Sequence, residues 1–411
     1  MMPINRRFFL HKGALALAGT TAIPQFLVRT VMAQQAVQPN KRLVVIFQRG
    51  AADGLNIVVP YREKNYYAMR PSIAIPQNQV IDLDGFFGLH PAMTAFKPLY
   101  DAGHLAVVHA AGSPDMTRSH FDAQDYMESG TPGVKGTDDG WLNRALQAED
   151  LRHAQQHSAF RALALGASVP RTLEGKIPAL ALSNVNNFSV AGNKPSPAAS
   201  AFEAMYGNSG DQILHATGDE TFDAVKMLRA ANPAQYKPNA DYPNSEFGNS
   251  MKQIAQLLKA NLGVEAAFTD INGWDTHQNQ GNVNGQLAGR LSDFSNSIAA
   301  FWHDMGDQAE NVTVVTMSEF GRTAKENGTG GTDHGHANAM FVLGANVKGR
   351  KVYGKWPGLE HEQLNEGRDL ALTTDYRQVL GEVVTHTLGA NNLDVVFPGA
   401  RIQPNDFLRL V

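Results

Sequence analysis

The sequence predicts an α/β fold: a mostly parallel central sheet with helices on both faces. Short apolar runs recur along the chain without polar interruption, the pattern of strands buried on both faces. Amphipathic helical stretches lie between them, and that alternation argues for a layered sheet. The composition, 43% hydrophobic and 18% charged over 411 residues, is that of a globular protein with a sizeable core. The mean hydropathy of −0.27 agrees.

Taken in chain order, Arg6-Arg7-Phe8-Phe9-Leu10 leads into a modest apolar stretch and then Val31-Met32-Ala33, the pattern of a twin-arginine export signal covering residues 1–33. The stretch is short for a membrane span of about 20 residues, so no stable membrane anchor is expected. The expectation is a periplasmic or secreted protein handled by the twin-arginine translocase. Cleavage would remove four basic residues and no acids, taking the net charge from −4 to −8. An acidic chain of this kind does not advertise nucleic-acid binding. The absence of cysteine excludes disulfides, thiolate metal sites and a thiol nucleophile. Any metal must therefore be held by His, Asp, Glu or hydroxyl groups.

Strands are expected at Leu43–Phe47, Leu105–Val108, Ala179–Leu182, Val312–Val315 and Met340–Leu343. Helices are expected at 91–100, 121–129, 141–148, 222–230, 251–262, 287–305 and 376–388. Residues 34–411 read as one domain, with a polar insertion or cap at about 184–244. Ligands of open α/β sheets bind beyond the carboxyl ends of the strands, and the residues there are unusual. Asp53 follows the first strand in a Gly-rich turn, as a metal ligand or an ordinary turn cap. Arg118-Ser119-His120 follows the second, with Ser119 positioned to cap a helix. A hydroxyl there is a nucleophile candidate beside an anion-binding helix terminus, and Arg118 adds a guanidinium fork. Asp275 and His277, two residues apart, point to one side of an extended segment. Glu319 ends a buried strand, where an unpaired carboxylate would be costly. Asp333, His334 and His336 crowd into four residues, with Arg322 just before them. His120 is a weaker candidate, and His109 reads as a residue within its strand.

These motifs together resemble a twin-arginine-exported family of proteins of unknown function, number 1501, usually grouped with the alkaline phosphatase-like (sulfatase-like) superfamily. The resemblance rests on the arginine-glycine-x-x-aspartate-glycine turn, Arg118-Ser119-His120-Phe121, Gly273-Trp274-Asp275-Thr276-His277, Ser318-Glu319-Phe320-Gly321-Arg322 and Asp333-His334-Gly335-His336. It implies the alkaline phosphatase-like α/β/α sandwich and two metal subsites about 4 Å apart. Asp275, His277 and His336 would hold one ion, and Asp53, Ser119 and Glu319 the other. Ser119 would attack phosphorus or sulfur, and Arg118 or Arg322 would neutralise the non-bridging oxygens. Two departures stand out. Phe320 replaces an imidazole of the superfamily pattern unless Asp333 or His334 substitutes for it, and Asp275 and His277 are more tightly spaced. One or two divalent ions, Zn, Mn, Ca or Mg, are expected. The implied activity is hydrolysis of phosphate or sulfate esters, including those of sulfated or phosphorylated glycans. The alternative is a non-catalytic metal-binding protein of carbohydrate binding or cell-surface assembly.

Overall fold

The computed structural model describes residues 41–150, 158, 160–185 and 235–411. The leader, the helix expected at 222–230 and most of the expected cap lie outside the described residues. Among the described residues the central sheet has nine strands: β1 (Arg42–Arg49), β5 (Leu105–Gly112), β6 (Ala162–Leu165), β7 (Ala179–Leu182), β8 (Ala266–Asn272), β9 (Val312–Ser318), β10 (Asn338–Gly344), β11 (Lys351–Tyr353) and β12 (Thr374–Asp375). They run in the order β11-β5-β10-β9-β1-β8-β6-β7, with β12 paired to β5. A small antiparallel sheet, β2 (Val58–Val59), β4 (Gly88–Leu89) and β3 (Ile81–Asp82), pairs separately from it.

The run Leu43–Phe47 is unbroken because β1 lies at the centre of the sheet and both its faces are covered. Val44 and Ile46 enter one core with Met251, Ile254, Leu291 and Phe294. Leu43, Val45 and Phe47 enter another with Trp141, Tyr376, Val379 and Val383. Alternation along a strand thus sends successive side chains to opposite helical layers. The long helices are α1 (His120–Ser129), α2 (Trp141–Asp150), α3 (Glu246–Lys259), α4 (Gln286–Met305) and α5 (Tyr376–Leu388). The α5 stripe is built as its spacing predicts, with Asp375 accepting from the Arg377 N–H at its start and Gly389 at φ 72° closing it. The expected helix at 91–100 is instead a 3₁₀ turn, Pro91–Met93, followed by a short helix, Phe96–Asp101.

One strand departs from the parallel pattern. β10 is antiparallel to both β5 and β9, while every other pairing within the sheet is parallel. The β9–β10 connection, residues 319–337, contains no helix, so the chain turns back instead of crossing over. The start of β10 therefore lies at the same sheet edge as the carboxyl ends of β1, β5, β8 and β9. That reversal brings Asp333, His334 and His336 to the edge where Asp275, His277 and Glu319 emerge.

His109 lies within β5, 2% exposed. Its Nε2–H donates to the Val58 carbonyl at 3.0 Å and its Nδ1 accepts from the Ala110 N–H at 2.8 Å. Burial pushes this imidazole down to about 4. The unfolded chain then takes up the proton first, so stability is lost as pH falls from about 6.5 towards about 4. The stability difference between wild type and His109→Gln, measured by urea unfolding, is expected to shrink by about 3 kcal/mol between pH 7 and pH 4. A pH-independent difference would contradict this reading.

Candidate metal centre

The candidate side chains stand on the turns after β8 and β9, on the segment before β10 and on the first turn of the helix that follows β5. The Arg49-Gly50 turn closes over the site, and Gly50 has φ 114°. A Cβ there would come within 2.8 Å of the Asp275 backbone nitrogen, so only glycine fits. The Gly50 N–H donates to Glu319 Oε1 at 2.8 Å. Ser119 caps α1, its hydroxyl accepting from the Asp122 N–H over a long 3.5 Å. This cap sets His120 on the first turn of the helix, with its ring turned into the site.

Four side chains meet there. His120 Nε2 and His334 Nε2 are 3.0 Å apart, as are His277 Nε2 and His334 Nε2. Asp275 Oδ1 lies 3.0 Å from His277 Nε2 and 3.2 Å from His334 Nε2. Asp275 Oδ2 lies 3.5 Å from His120 Nε2. His120, Asp275 and His334 each offer a ligand atom within 4.8 Å of the other two. The opposite nitrogen of each ring is anchored. His120 Nδ1–H donates to Glu319 Oε1 at 2.8 Å, His334 Nδ1–H to the Arg118 carbonyl at 2.9 Å and His277 Nδ1–H to Asp333 Oδ1 at 3.1 Å.

Carbonyl and carboxylate oxygens only accept, which fixes the proton on each Nδ1 and leaves Nε2 a lone pair in the neutral ring. His334 Nε2 and the Asp275 carboxylate thus face the lone pair of His120 and that of His277 at 3.0–3.5 Å. Such a set of acceptors is repulsive unless a metal ion stands among them or a protonated imidazole donates across it. With metal–nitrogen bonds of about 2.0–2.1 Å, neighbouring ligand atoms of a tetrahedral or octahedral ion lie roughly 3.0–3.4 Å apart. The donor set therefore fits a divalent ion, and the three Nδ1 anchors are the outer hydrogen bonds that metal-binding histidines carry. Asp275 and His277 have side chains 42% and 41% exposed, which leaves the centre open to a substrate.

The electrostatics agree. Burial works against charge on Asp275, but the Arg322 guanidinium, at 2.6 Å, holds its carboxyl below the ordinary range. Burial likewise opposes charge on Glu319, and hydrogen bonds from His120 and Gln124 outweigh it. The bond to Glu319 raises the His120 imidazole. Burial lowers that of His334.

The remaining residues expected at the site are engaged with other partners, some of them directly behind the cluster. Glu319 stands behind His120, its Oε2 accepting from the Ser318 hydroxyl. Asp53 is 1% exposed, and its Oδ2 accepts from Arg70 at 2.7 Å and from Gln280 at 2.7 Å. His336 Nε2–H donates to the Ser113 carbonyl. Asp333 orients His277. Arg118 is held by Glu366 and Asp369, and Arg322 is committed to Asp275 and Thr332. Asp53, Ser119 and Glu319, the expected second subsite, are joined by no hydrogen bond among the described residues. Phe320 packs 4.9 Å from the His120 ring and 5.1 Å from that of His334. His120, from a different element, supplies an imidazole that position 320 does not. Its signal in sequence was its place directly after a capping serine.

A mostly parallel sheet between helical layers, with a possible His/Asp metal site at the carboxyl edge of its strands, sets the class. The chain belongs to the DUF1501 family, proteins of unknown function, whose model matches residues 40–392. No curated protein matches it. Among solved structures it is similar to a variant of the alkaline phosphatase PafA, at 10% identity and a TM-score of 0.35, covering 70% of this chain. The chain spans 64% of that phosphatase's length. It is also similar to Ps i-CgsB in complex with k-i-k-neocarrahexaose, at 9% identity and a TM-score of 0.38, covering 90% of this chain and 74% of that one. The PsFucS1 sulfatase from Pseudoalteromonas sp. gives 12% identity and a TM-score of 0.38, covering 94% and 76%. No helix among the described residues is long and apolar enough to cross a membrane.

Proposed function

We propose that this protein is a divalent-metal-dependent hydrolase of phosphate or sulfate esters, working at the His120, His277, His334 and Asp275 centre. The observation that carries the reading is the set of lone pairs on three Nδ1-anchored imidazoles gathered around one carboxylate. A bound ion would supply Lewis-acid charge and a lowered hydroxyl or water pKa. Ser119 is the nucleophile in this reading. Its hydroxyl is exposed, is held by one long hydrogen bond, and sits at the N-terminus of α1, whose free N–H groups suit an anionic ester. Its oxygen would bond to phosphorus or sulfur as the bond to the alcohol oxygen breaks, and water would then release the acid.

One observation favours a second reading, a metal-binding protein without turnover. Arg118 and Arg322 are both held in ion pairs, so the charge of each guanidinium is already balanced by carboxylates of the protein. Elemental analysis beside a panel of chromogenic phosphate and sulfate esters decides between them. The hydrolase is expected to carry about one ion per chain, and Ser119→Ala should lower turnover on the order of 10³-fold or more while leaving metal content unchanged. Bound metal with no turnover on any ester would select the second reading, and no metal would overturn both.

A further inference from the structure

Gln280 is fully buried, at 0% exposure, eight residues after β8. Its Nε2 donates to Asp53 Oδ2 at 2.7 Å. A carboxylate only accepts, so this contact fixes the orientation of the amide and turns Oε1 the other way. There Oε1 accepts from the Thr276 hydroxyl at 2.6 Å and the Thr332 hydroxyl at 3.2 Å. Thr276 stands between Asp275 and His277, and Thr332 lies two residues before His334. A single carbonyl oxygen thus joins the two turns that carry three of the four candidate ligands.

The rest of the network has one consistent donor order. Arg322 Nε donates to the Thr332 hydroxyl at 3.1 Å, and Arg322 Nη1 donates to Asp275 Oδ1. The Thr332 N–H donates to the Thr276 carbonyl at 3.1 Å. Gly331 lets the turns approach, since a Cβ there would lie 2.3 Å from the His277 carbonyl carbon. The Arg70–Asp53 pair anchors the far end.

We propose that Gln280 is a positioning residue: its buried carboxamide locks the 275–277 turn to the 332–334 turn and so sets the spacing of Asp275, His277 and His334 for a divalent ion. This inference rests on the metal-centre reading above. Outer hydrogen bonds of metal sites typically contribute 10–100-fold in affinity, and Gln280 acts one bond further out but on both turns at once.

The test is titration of metal-free protein with Zn²⁺, with the visible spectrum of the Co²⁺-loaded protein as a second readout. Gln280→Leu is expected to bind Zn²⁺ roughly 10-fold more weakly or worse, with altered Co²⁺ bands. A merely structural role would lower the thermal midpoint of the metal-free protein and leave affinity and bands as in wild type, which would overturn the proposal. If Gln280→Leu does not fold, Thr276→Val and Thr332→Val each remove one arm of the clamp. Their effects on Zn²⁺ affinity are expected to be non-additive, because both act through one oxygen. Additive or absent effects would sink the idea. Wild type that binds metal while Gln280→Leu binds equally well fails this inference alone. Wild type that binds no Zn²⁺ or Co²⁺ fails the metal-centre reading and this inference with it.

Discussion

His334→Ala is expected to weaken metal binding on the order of 100-fold, whereas His336→Ala should leave it intact. The two histidines are separated by one residue just before β10, and the family resemblance gives the ligand role to His336. Their surroundings reverse that ranking. His334 Nε2 is the hub of the cluster, within 3.0–3.2 Å of His120, His277 and Asp275. His336 is turned away, with Nε2 on the Ser113 carbonyl and Nδ1 buried without a partner. Four-ligand zinc sites gain about 10–16 kcal/mol on binding. One ligand then carries about 3 kcal/mol, on the order of 100-fold in Kd. Zn²⁺ titration of both variants checks the ranking. Tight binding by His334→Ala, or its loss in His336→Ala, would move the centre from where the geometry puts it.

The same pair shows how far sequence reaches. β1, β5, β9 and β10 were legible because burial on both faces leaves an unbroken apolar run, whereas β6 and the short β11 and β12 were not among the expected strands. α4 and α5 were legible because each buries one stripe. The direction of β10 was not, since a doubly buried strand reads alike whichever way it runs, and that direction decides which edge His334 reaches. Asp275, His277 and His334 could be picked out as a ligand-rich edge. His120 was weighted low because its partner, Glu319, is distant in the chain, and only the sheet brings the β5 and β9 ends together. Glu319 read as a ligand because a buried carboxylate needs a counterpart. The need is met by His120, Gln124, Ser318 and the Gly50 N–H instead. Gln280, an ordinary glutamine in an Asn- and Gln-rich loop, carries no signal at all until the fold surrounds it.

Arg70→Leu is expected to destabilise the protein by about 3–5 kcal/mol, because it strands a buried charge. The Arg70 side chain is 0% exposed and that of Asp53 1%. Arg70 also donates to the Ala324 and Thr323 carbonyls and to Asn56 Oδ1. With the guanidinium gone, Asp53 keeps one hydrogen bond, from Gln280, while its Oδ1 already lacks a partner. Removing both charges should hurt less than removing one, so Arg70→Leu with Asp53→Asn is expected to recover a large part of the loss. Urea unfolding of the single and double variants measures this, and a single-variant cost below about 1 kcal/mol would contradict the stranded-charge account. Metal titration of the double variant adds a second discrimination. If Asp53 serves only as the anchor of Gln280, the double variant binds Zn²⁺ more weakly but still with one ion per chain. If Asp53 is a ligand, as the family resemblance implies, an ion is lost outright. Stability and stoichiometry together therefore separate a carboxylate that braces the site from one that belongs to it.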